Sequence, residues 1–105
     1  MECNNEIQEV QILEHNLQNL LMQKQAFQIE LSENSSALKE INNSGEEVYK
    51  VIGQLMIKTE KKRIKEELEK KEKIINLRIK NLEKQEISLT SQLKELREKI
   101  LSSKN

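Results

Sequence analysis

The side chains that most often do chemistry are few in this sequence and are not arranged for catalysis. His15 is the only histidine and Cys3 the only cysteine among 105 residues. Neighbouring carboxylates occur at Glu46-Glu47 and Glu66-Glu67, but general acid-base catalysis needs two carboxyl groups in different environments, and neighbours on a solvated helix or turn share one. An enzyme also needs polar groups that converge in a concave pocket. We therefore expect a protein without enzyme activity.

The same scarcity argues against a cofactor or a metal ion. A single cysteine forms neither an internal disulfide nor a cysteine-based metal site, and we expect a reducing compartment. Gly45 and Gly53 are the only glycines, too few for a loop that cradles phosphate groups. We expect no cofactor and no bound metal, and we interpret His15 as an exposed helix residue.

The charges of the chain are distributed unevenly. Residues 1–47 carry nine acidic and two basic residues, whereas residues 48–105 carry sixteen basic and nine acidic ones. A net charge of zero therefore hides an acidic half and a basic half, which attract each other if they lie side by side. Exposed ion pairs contribute only about 0.2 to 1 kcal/mol each and are screened by salt. The asymmetry thus favours pairing of the two halves but does not fix its geometry.

The basic half raises the question of nucleic-acid binding. Its densest run is Lys61-Lys62-Arg63-Ile64-Lys65, but five acidic residues lie from Glu60 to Glu72. A phosphate backbone would meet mixed charge instead of a basic stripe, and a solvated helix face is the preferred interpretation. The N-terminal residues lack the apolar run of a signal peptide, and no stretch reaches the roughly 18 apolar residues of a membrane span. We expect a cytoplasmic protein that binds neither nucleic acid nor membranes.

Regular apolar spacing predicts a long helix in the first half of the chain. One Phe, one Tyr and no Trp accompany 34% charged residues, which excludes a broad core because aromatic side chains supply much of its volume. Alternate steps of three and four residues reach apolar residues at eight of ten positions, a heptad repeat that specifies a partner helix. Lys24 and Asn34 interrupt the repeat, and polar residues there can fix register or oligomeric state. The ten positions are Val10, Leu13, Leu17, Leu20, Lys24, Phe27, Leu31, Asn34, Leu38 and Ile41.

A second heptad repeat of nearly the same length occupies the other half. Eight of its ten positions are again apolar, and neither repeat contains Pro or Gly. Equal lengths are what two arms of one hairpin require, but heptads alone do not fix parallel or antiparallel pairing. The β-hairpin between the repeats decides, and the fold class predicted is mostly α, a long antiparallel two-helix coiled coil. The positions of the second repeat are Leu68, Glu72, Ile75, Ile79, Leu82, Glu86, Leu89, Leu93, Leu96 and Ile100.

Between the two repeats the spacing changes to that of short strands. Residues 48–52 and 55–59 are rich in β-branched and apolar types and flank Gly53, which predicts a central β-hairpin. Residues 42–45 predict the end of the first helix through Gly or Asn in a left-handed cap, and Thr59 is the predicted cap of the second helix. We predict one domain over residues 1–105, with helix 1 at about 5–43, the hairpin at about 47–59 and helix 2 at about 60–102.

The predicted hairpin needs partner chains. Its apolar residues fall on both faces of the ribbon, because successive side chains of a strand point to opposite sides. An isolated two-stranded ribbon is marginal in water, and hairpins from other chains would cover both faces and pair the open edges. The residues predicted to mediate assembly are Val48, Val51, Ile52, Leu55, Met56 and Ile57.

At the helix ends away from the hairpin, apolar residues exceed what the heptads need. Ile7 and Ile12 lie outside the first repeat, and Leu101 lies outside the second. An antiparallel arrangement makes these ends neighbours and gives a surface able to hold an unfolded chain. Scattered exposed apolar residues are also ordinary on any protein surface, so both interpretations stay open.

Residues 47–59, EVYKVIGQLMIKT, resemble the central hairpin of prefoldin β-type subunits. The likeness spans essentially the whole chain, and the combination of a mid-chain hairpin with flanking heptads is fairly specific. A single hairpin fits the β class, because α-class subunits of that family have two, and the compact length is similar to that of archaeal β subunits. A second segment, LEKQE at residues 82–86, is similar to the second helix of those subunits.

This resemblance implies an ATP-independent chaperone subunit in a heterohexamer of two α and four β subunits. The hairpins would join an intersubunit β-barrel, and the coiled-coil tips would capture unfolded client proteins and deliver them to a group II chaperonin. The alternative is a structural coiled-coil adaptor or scaffold, which would use the same heptads but leaves the two apolar hairpin faces unexplained unless it too oligomerises. The residues that match the barrel strands are Val48, Val51, Leu55 and Ile57. The residues that match the client-binding tips by position are Ile7, Val10, Leu96, Ile100 and Leu101.

Overall fold

The protein consists of two long helices joined through a β-hairpin. The computed structural model describes residues 2–103, with side chains from Asn4 onward. Cys3 therefore lies outside the described side chains. The elements in chain order are helix α1 (Glu2–Asn43), strand β1 (Glu47–Ile52), strand β2 (Leu55–Glu60) and helix α2 (Lys61–Ser103).

The chain divides into two compact units, each of which contains a segment of both helices. The terminal unit comprises Met1–Ala26 and Ile79–Asn105. The hairpin unit comprises Phe27–Arg78 and so includes both strands. That the chain acts as a single domain stays a prediction.

The predicted heptad positions are the ones that become covered. All ten positions of each repeat are buried or half-buried, and Leu20, Leu93 and Ile75 are among the buried apolar residues. Burial of apolar surface, worth about 25 cal/mol per Å², is thus concentrated along one seam in each unit. These twenty positions, ten on each helix, form the seam.

Polar contacts show that the helices run antiparallel within each unit. In the terminal unit the Arg97 guanidinium donates to Glu14 Oε1 at 2.6 Å, and Lys99 pairs with Glu6 at 3.2 Å. In the hairpin unit Lys71 pairs with Glu30 at 3.6 Å. Each of these pairs joins an acid of α1 to a base of α2, as the charge asymmetry of the two halves favours. Together with the central hairpin, the antiparallel pairing confirms the fold class.

Three of the four polar residues of the seam have a partner on the opposite helix. Lys24 Nζ donates to Glu86 Oε2 at 3.2 Å in the terminal unit, so two polar interruptions of the two repeats neutralise each other. In the hairpin unit Asn34 is only 4% exposed and its Nδ2 donates to the Leu68 carbonyl at 2.8 Å. Asn34 Oδ1 is buried and has no hydrogen-bond partner within the described residues.

Both predicted helix caps are wrong. Gly53 is the only residue with a positive φ in the described chain, so no left-handed residue ends α1. The Ser44 hydroxyl instead donates to the Ile41 carbonyl at 2.8 Å, and Lys61 Nζ donates to the Ser44 carbonyl at 2.9 Å. Thr59 does not cap α2, because strand β2 continues through Glu60 and the helix begins one residue later.

A two-residue turn sets the register of the hairpin. Strands β1 and β2 are antiparallel, and Ile52 pairs with Leu55 across the turn. Gly53 has a φ of 60°, and Gln54 is not a positive-φ residue. A positive φ at the first central position alone is typical of a type II′ turn, which fits the twist of a hairpin. The turn therefore fixes which apolar side chains share a face.

Candidate functional site

The hairpin exposes apolar side chains on both faces. One face carries the cross-strand pairs Lys50 with Ile57 and Ile52 with Leu55, and the other carries Val51 with Met56 and Tyr49 with Lys58. Of the six residues predicted to mediate assembly, only Val48 is buried, at 7% exposure. The other five are exposed, up to 69% for Met56. The exposed five are Val51, Ile52, Leu55, Met56 and Ile57.

Ion pairs hold the charged residues of the hairpin without covering its apolar ones. Lys50 Nζ donates to Glu67 Oε2 of α2 at 3.1 Å, and Lys58 Nζ donates to Glu47 Oε1 at 3.3 Å. The sheet has two strands, so each strand leaves one edge unpaired, and an open edge is a template for strand addition. An apolar ribbon with two open edges and two exposed faces is suited to assembly with other hairpins.

In the terminal unit, the predicted tip residues divide into two groups. Val10, Leu96 and Ile100 are half-buried members of the seam. Ile7 and Leu101 are exposed, Leu101 at 64%. Only the second group offers side chains that a bound chain reaches without parting the helices.

Leu101 lines an open groove of about 570 Å³ in the terminal unit. The floor of the groove includes Leu17 and Leu93 of the seam, and Thr90 also lines it. Its polar boundary includes the ion pair of Arg97 with Glu14. An apolar floor beside a polar rim suits weak binding of apolar segments of variable sequence.

Sequence reasoning missed this groove, although it named Leu101. Leu17 and Leu93 are seam positions by their heptad spacing and gave no sign of also facing a groove. Thr90 and Arg97 stand eleven and four residues before Leu101, a spacing that places all three on one face of α2. Leu17 of α1 joins them only because α1 lies beside α2 in this register, which the structure specifies.

No alternative chemistry emerges from the described residues. Within them, no group of three or more His, Cys, Asp or Glu side chains is placed to hold a metal ion. His15 is exposed on α1. Neither helix, over its described length, has a stretch both long enough and apolar enough to span a membrane.

Comparison with known proteins identifies the family. Residues 4–103 match the family described as prefoldin subunit. The chain belongs to the prefoldin subunit family. It is 43% identical to the prefoldin subunit beta of Thermococcus onnurineus over 86 residues, which are 80% of this chain and 74% of the relative. It is 34% identical to the prefoldin subunit beta of Sulfurisphaera tokodaii over 101 residues, 94% of this chain and 81% of the relative.

A solved prefoldin structure has the same fold. The crystal structure of the prefoldin beta subunit from Thermococcus strain KS-1 superposes with a TM-score of 0.91 at 35% identity, covering 97% of this chain and 91% of that one. These findings confirm the resemblance to archaeal prefoldin β subunits. Prefoldin subunits are chaperone components that assemble with other prefoldin subunits, and they are not enzymes.

Proposed function

We propose that this chain is the β-type subunit of an ATP-independent, cytoplasmic chaperone that captures unfolded proteins and delivers them to a group II chaperonin. Its assembly would be a heterohexamer of two α and four β subunits. The observation that carries the proposal is the hairpin, whose five exposed apolar side chains lie on both faces of a ribbon with open edges. A monomeric adaptor would leave that surface in water, whereas a barrel of hairpins would cover it.

The proposed division of work follows from exposure within each unit. Val51, Ile52, Leu55, Met56 and Ile57 would form the intersubunit barrel, and Val48, already buried by its own chain, would anchor the hairpin. In the terminal unit, Ile7 and Leu101 would contact clients directly. Val10, Leu96 and Ile100 would support them from the seam.

Weak contacts suffice if several subunits hold one client. Each terminal unit offers only open grooves, but binding by one unit raises the effective concentration of the client for the others. The affinity for the client would then depend on how many terminal units bind it, and release would need no nucleotide hydrolysis. Delivery to the chaperonin would require such reversible contacts, because the client must leave the terminal units that hold it.

The test of client capture is a pair of leucine variants in the assembled complex. Leu101 and Leu77 lie on the same helix and have nearly equal exposure, 64% and 62%, but only Leu101 lines the groove. We expect Leu101→Ser, alone or with Ile100→Ser, to leave the hexamer intact and to weaken suppression of aggregation, measured by light scattering of a protein diluted from guanidinium chloride. Leu77→Ser should suppress aggregation like the unmodified chain. Equal suppression by both variants would show that Leu101 is not a client contact.

A further inference from the structure

A second groove in the terminal unit is lined by uncharged polar side chains. It measures about 470 Å³ and lies apart from Leu101. Its floor includes Leu20, which is buried, and Leu89, which is half-buried. Its walls are exposed. The wall residues are Asn16, Asn19 and Gln23 from α1 and Gln85 and Ser88 from α2.

Charged residues are scarce in the segments of both helices that line this groove. The chain is 34% charged, yet from residue 15 to 26 the only Asp, Glu, Lys or Arg is Lys24, and from residue 85 to 93 the only one is Glu86. These two side chains form an ion pair with each other at 3.2 Å. The groove therefore presents neither sign of charge to a ligand.

The carboxamides of the groove are free to bind. None of Asn16, Asn19, Gln23 and Gln85 makes a hydrogen bond to another described residue, whereas Ser88 accepts one from Gln92 at 3.3 Å. Each carboxamide offers two N–H donors and one carbonyl acceptor, which can pair with the one C=O and one N–H of a peptide group. Four such groups above an apolar floor match a chain that presents backbone amides and occasional apolar side chains.

We propose that this groove binds the extended backbone of an unfolded polypeptide, independently of the charges on that polypeptide. The inference rests on the proposed function, because it assumes that the chain captures unfolded proteins. It adds a second site with different chemistry. The Leu101 groove would select apolar side chains, and this carboxamide groove would select peptide groups.

The chemistry of the groove also excludes the other obvious occupants. An anion or a nucleic acid needs positive charge, and a cation needs carboxylates, but the residues that line the groove are uncharged. A helix of a second copy has its backbone amides satisfied internally, so it would leave the carboxamides unmatched. An unfolded chain is the partner whose N–H and C=O groups are available.

The test compares a peptide with its backbone-methylated form on the assembled complex. The probe is a dye-labelled peptide of Ser, Thr and Gly with two Val residues, and its analogue carries N-methyl groups on alternate residues, which removes N–H donors and retains the side chains. Fluorescence anisotropy should show that the unmodified peptide binds about tenfold more tightly, as expected for one or two net hydrogen bonds. Equal affinity for the two peptides would overturn the proposal.

A variant of the groove gives a second test, because the proposal predicts that apolar substitutions there weaken peptide binding. Asn19→Leu with Gln23→Met and Gln85→Met keeps side-chain size but removes the hydrogen-bonding groups. We expect about tenfold weaker binding of the unmodified peptide and no difference between the two peptides. If binding were purely hydrophobic, these apolar substitutions would instead tighten it, and that result would overturn the proposal.

The control variant removes three carboxamides outside the groove, Gln8→Met, Gln11→Met and Gln25→Met, and should bind both peptides like the unmodified chain.

A change in the mass of the complex with the groove variant would mean that the groove is a subunit interface, which overturns the proposal. Leu101→Ser separates the two sites, because it should weaken aggregation suppression and retain the difference between the peptides. If the unmodified complex fails to suppress aggregation at all, the proposed function itself fails.

Discussion

The hairpin unit and the terminal unit share one packing scheme but differ in what they leave uncovered. In both, the seam positions are buried or half-buried, and acidic residues of α1 pair with basic residues of α2. The hairpin unit exposes a continuous apolar ribbon on two faces. The terminal unit exposes single apolar residues such as Leu101 beside open grooves with polar rims.

The difference indicates what each surface is suited to bind. A large apolar surface with unpaired strand edges is typical of a permanent interface, because leaving it in water is unfavourable at all times. Small apolar patches interrupted by polar groups are tolerated in water and support weak, exchangeable contacts. The heptads alone do not distinguish the two units.

The largest expected effect follows from charging the hairpin. Val51 and Met56 face each other across the strands and are exposed, so Val51→Asp with Met56→Asp should leave the isolated fold intact and abolish the hexamer. Burial of two unpaired carboxylates in a barrel is strongly unfavourable. Size-exclusion chromatography with light scattering measures the mass, and circular dichroism measures the helix content.

The matched control for that variant is Gln54→Asp, which adds a carboxylate at the turn instead of on an apolar face. It should retain the hexamer. Retention of the hexamer by the doubly charged variant would show that this face of the hairpin is not the interface.

A smaller effect is expected along the seam, where the two units should respond alike. Ile75→Ala in the hairpin unit, at 1% exposure, and Leu93→Ala in the terminal unit should each destabilise the protein by about 2 to 5 kcal/mol through lost burial and a residual cavity. Chemical denaturation of the complex measures the loss, with Leu77→Ala as the exposed control. A negligible effect of Leu93→Ala would mean that the terminal unit is not held by its seam.

The smallest expected effect concerns the buried amide of the hairpin unit. Asn34 donates one hydrogen bond to Leu68, and its Oδ1 has no hydrogen-bond partner among the residues that the structure describes. Asn34→Leu should therefore raise the free energy of unfolding by about 1 kcal/mol, because it removes an unpaired buried polar atom and restores an apolar heptad position. A lower midpoint of denaturation for this variant would show instead that the bond to Leu68 outweighs the unsatisfied oxygen.

The seam and the hairpin were predictable from sequence because each depends on local periodicity. A change from heptad spacing to a short β-rich run around Gly53 indicated both elements, and the type II′ turn agrees with that glycine. The helix caps were not predictable in the same way. At the end of α1 the Ser44 hydroxyl bonds the Ile41 carbonyl, and the Ser44 carbonyl accepts a bond from Lys61, which lies seventeen residues away in sequence.

The grooves required the structure for a different reason. Leu101 stood out as an apolar residue beyond the heptads, and Thr90 and Arg97 share its face of α2 by helical spacing. The groove residues of α1 join them only because the two helices lie side by side in one register. The uncharged stretches around Asn19 and Gln85 are visible in the sequence, but nothing there places them on the same groove. Features that depend on both helices at once are those that sequence periodicity does not contain.

The most direct test of the central claim is native mass spectrometry of this chain, alone and mixed with an α-type prefoldin subunit from the same genome. The exposed hairpin predicts that the mixture forms a heterohexamer of two α and four β subunits, and that Val51→Asp with Met56→Asp prevents it. A stable dimer that ignores the α-type subunit would contradict the account and favour a structural coiled-coil adaptor.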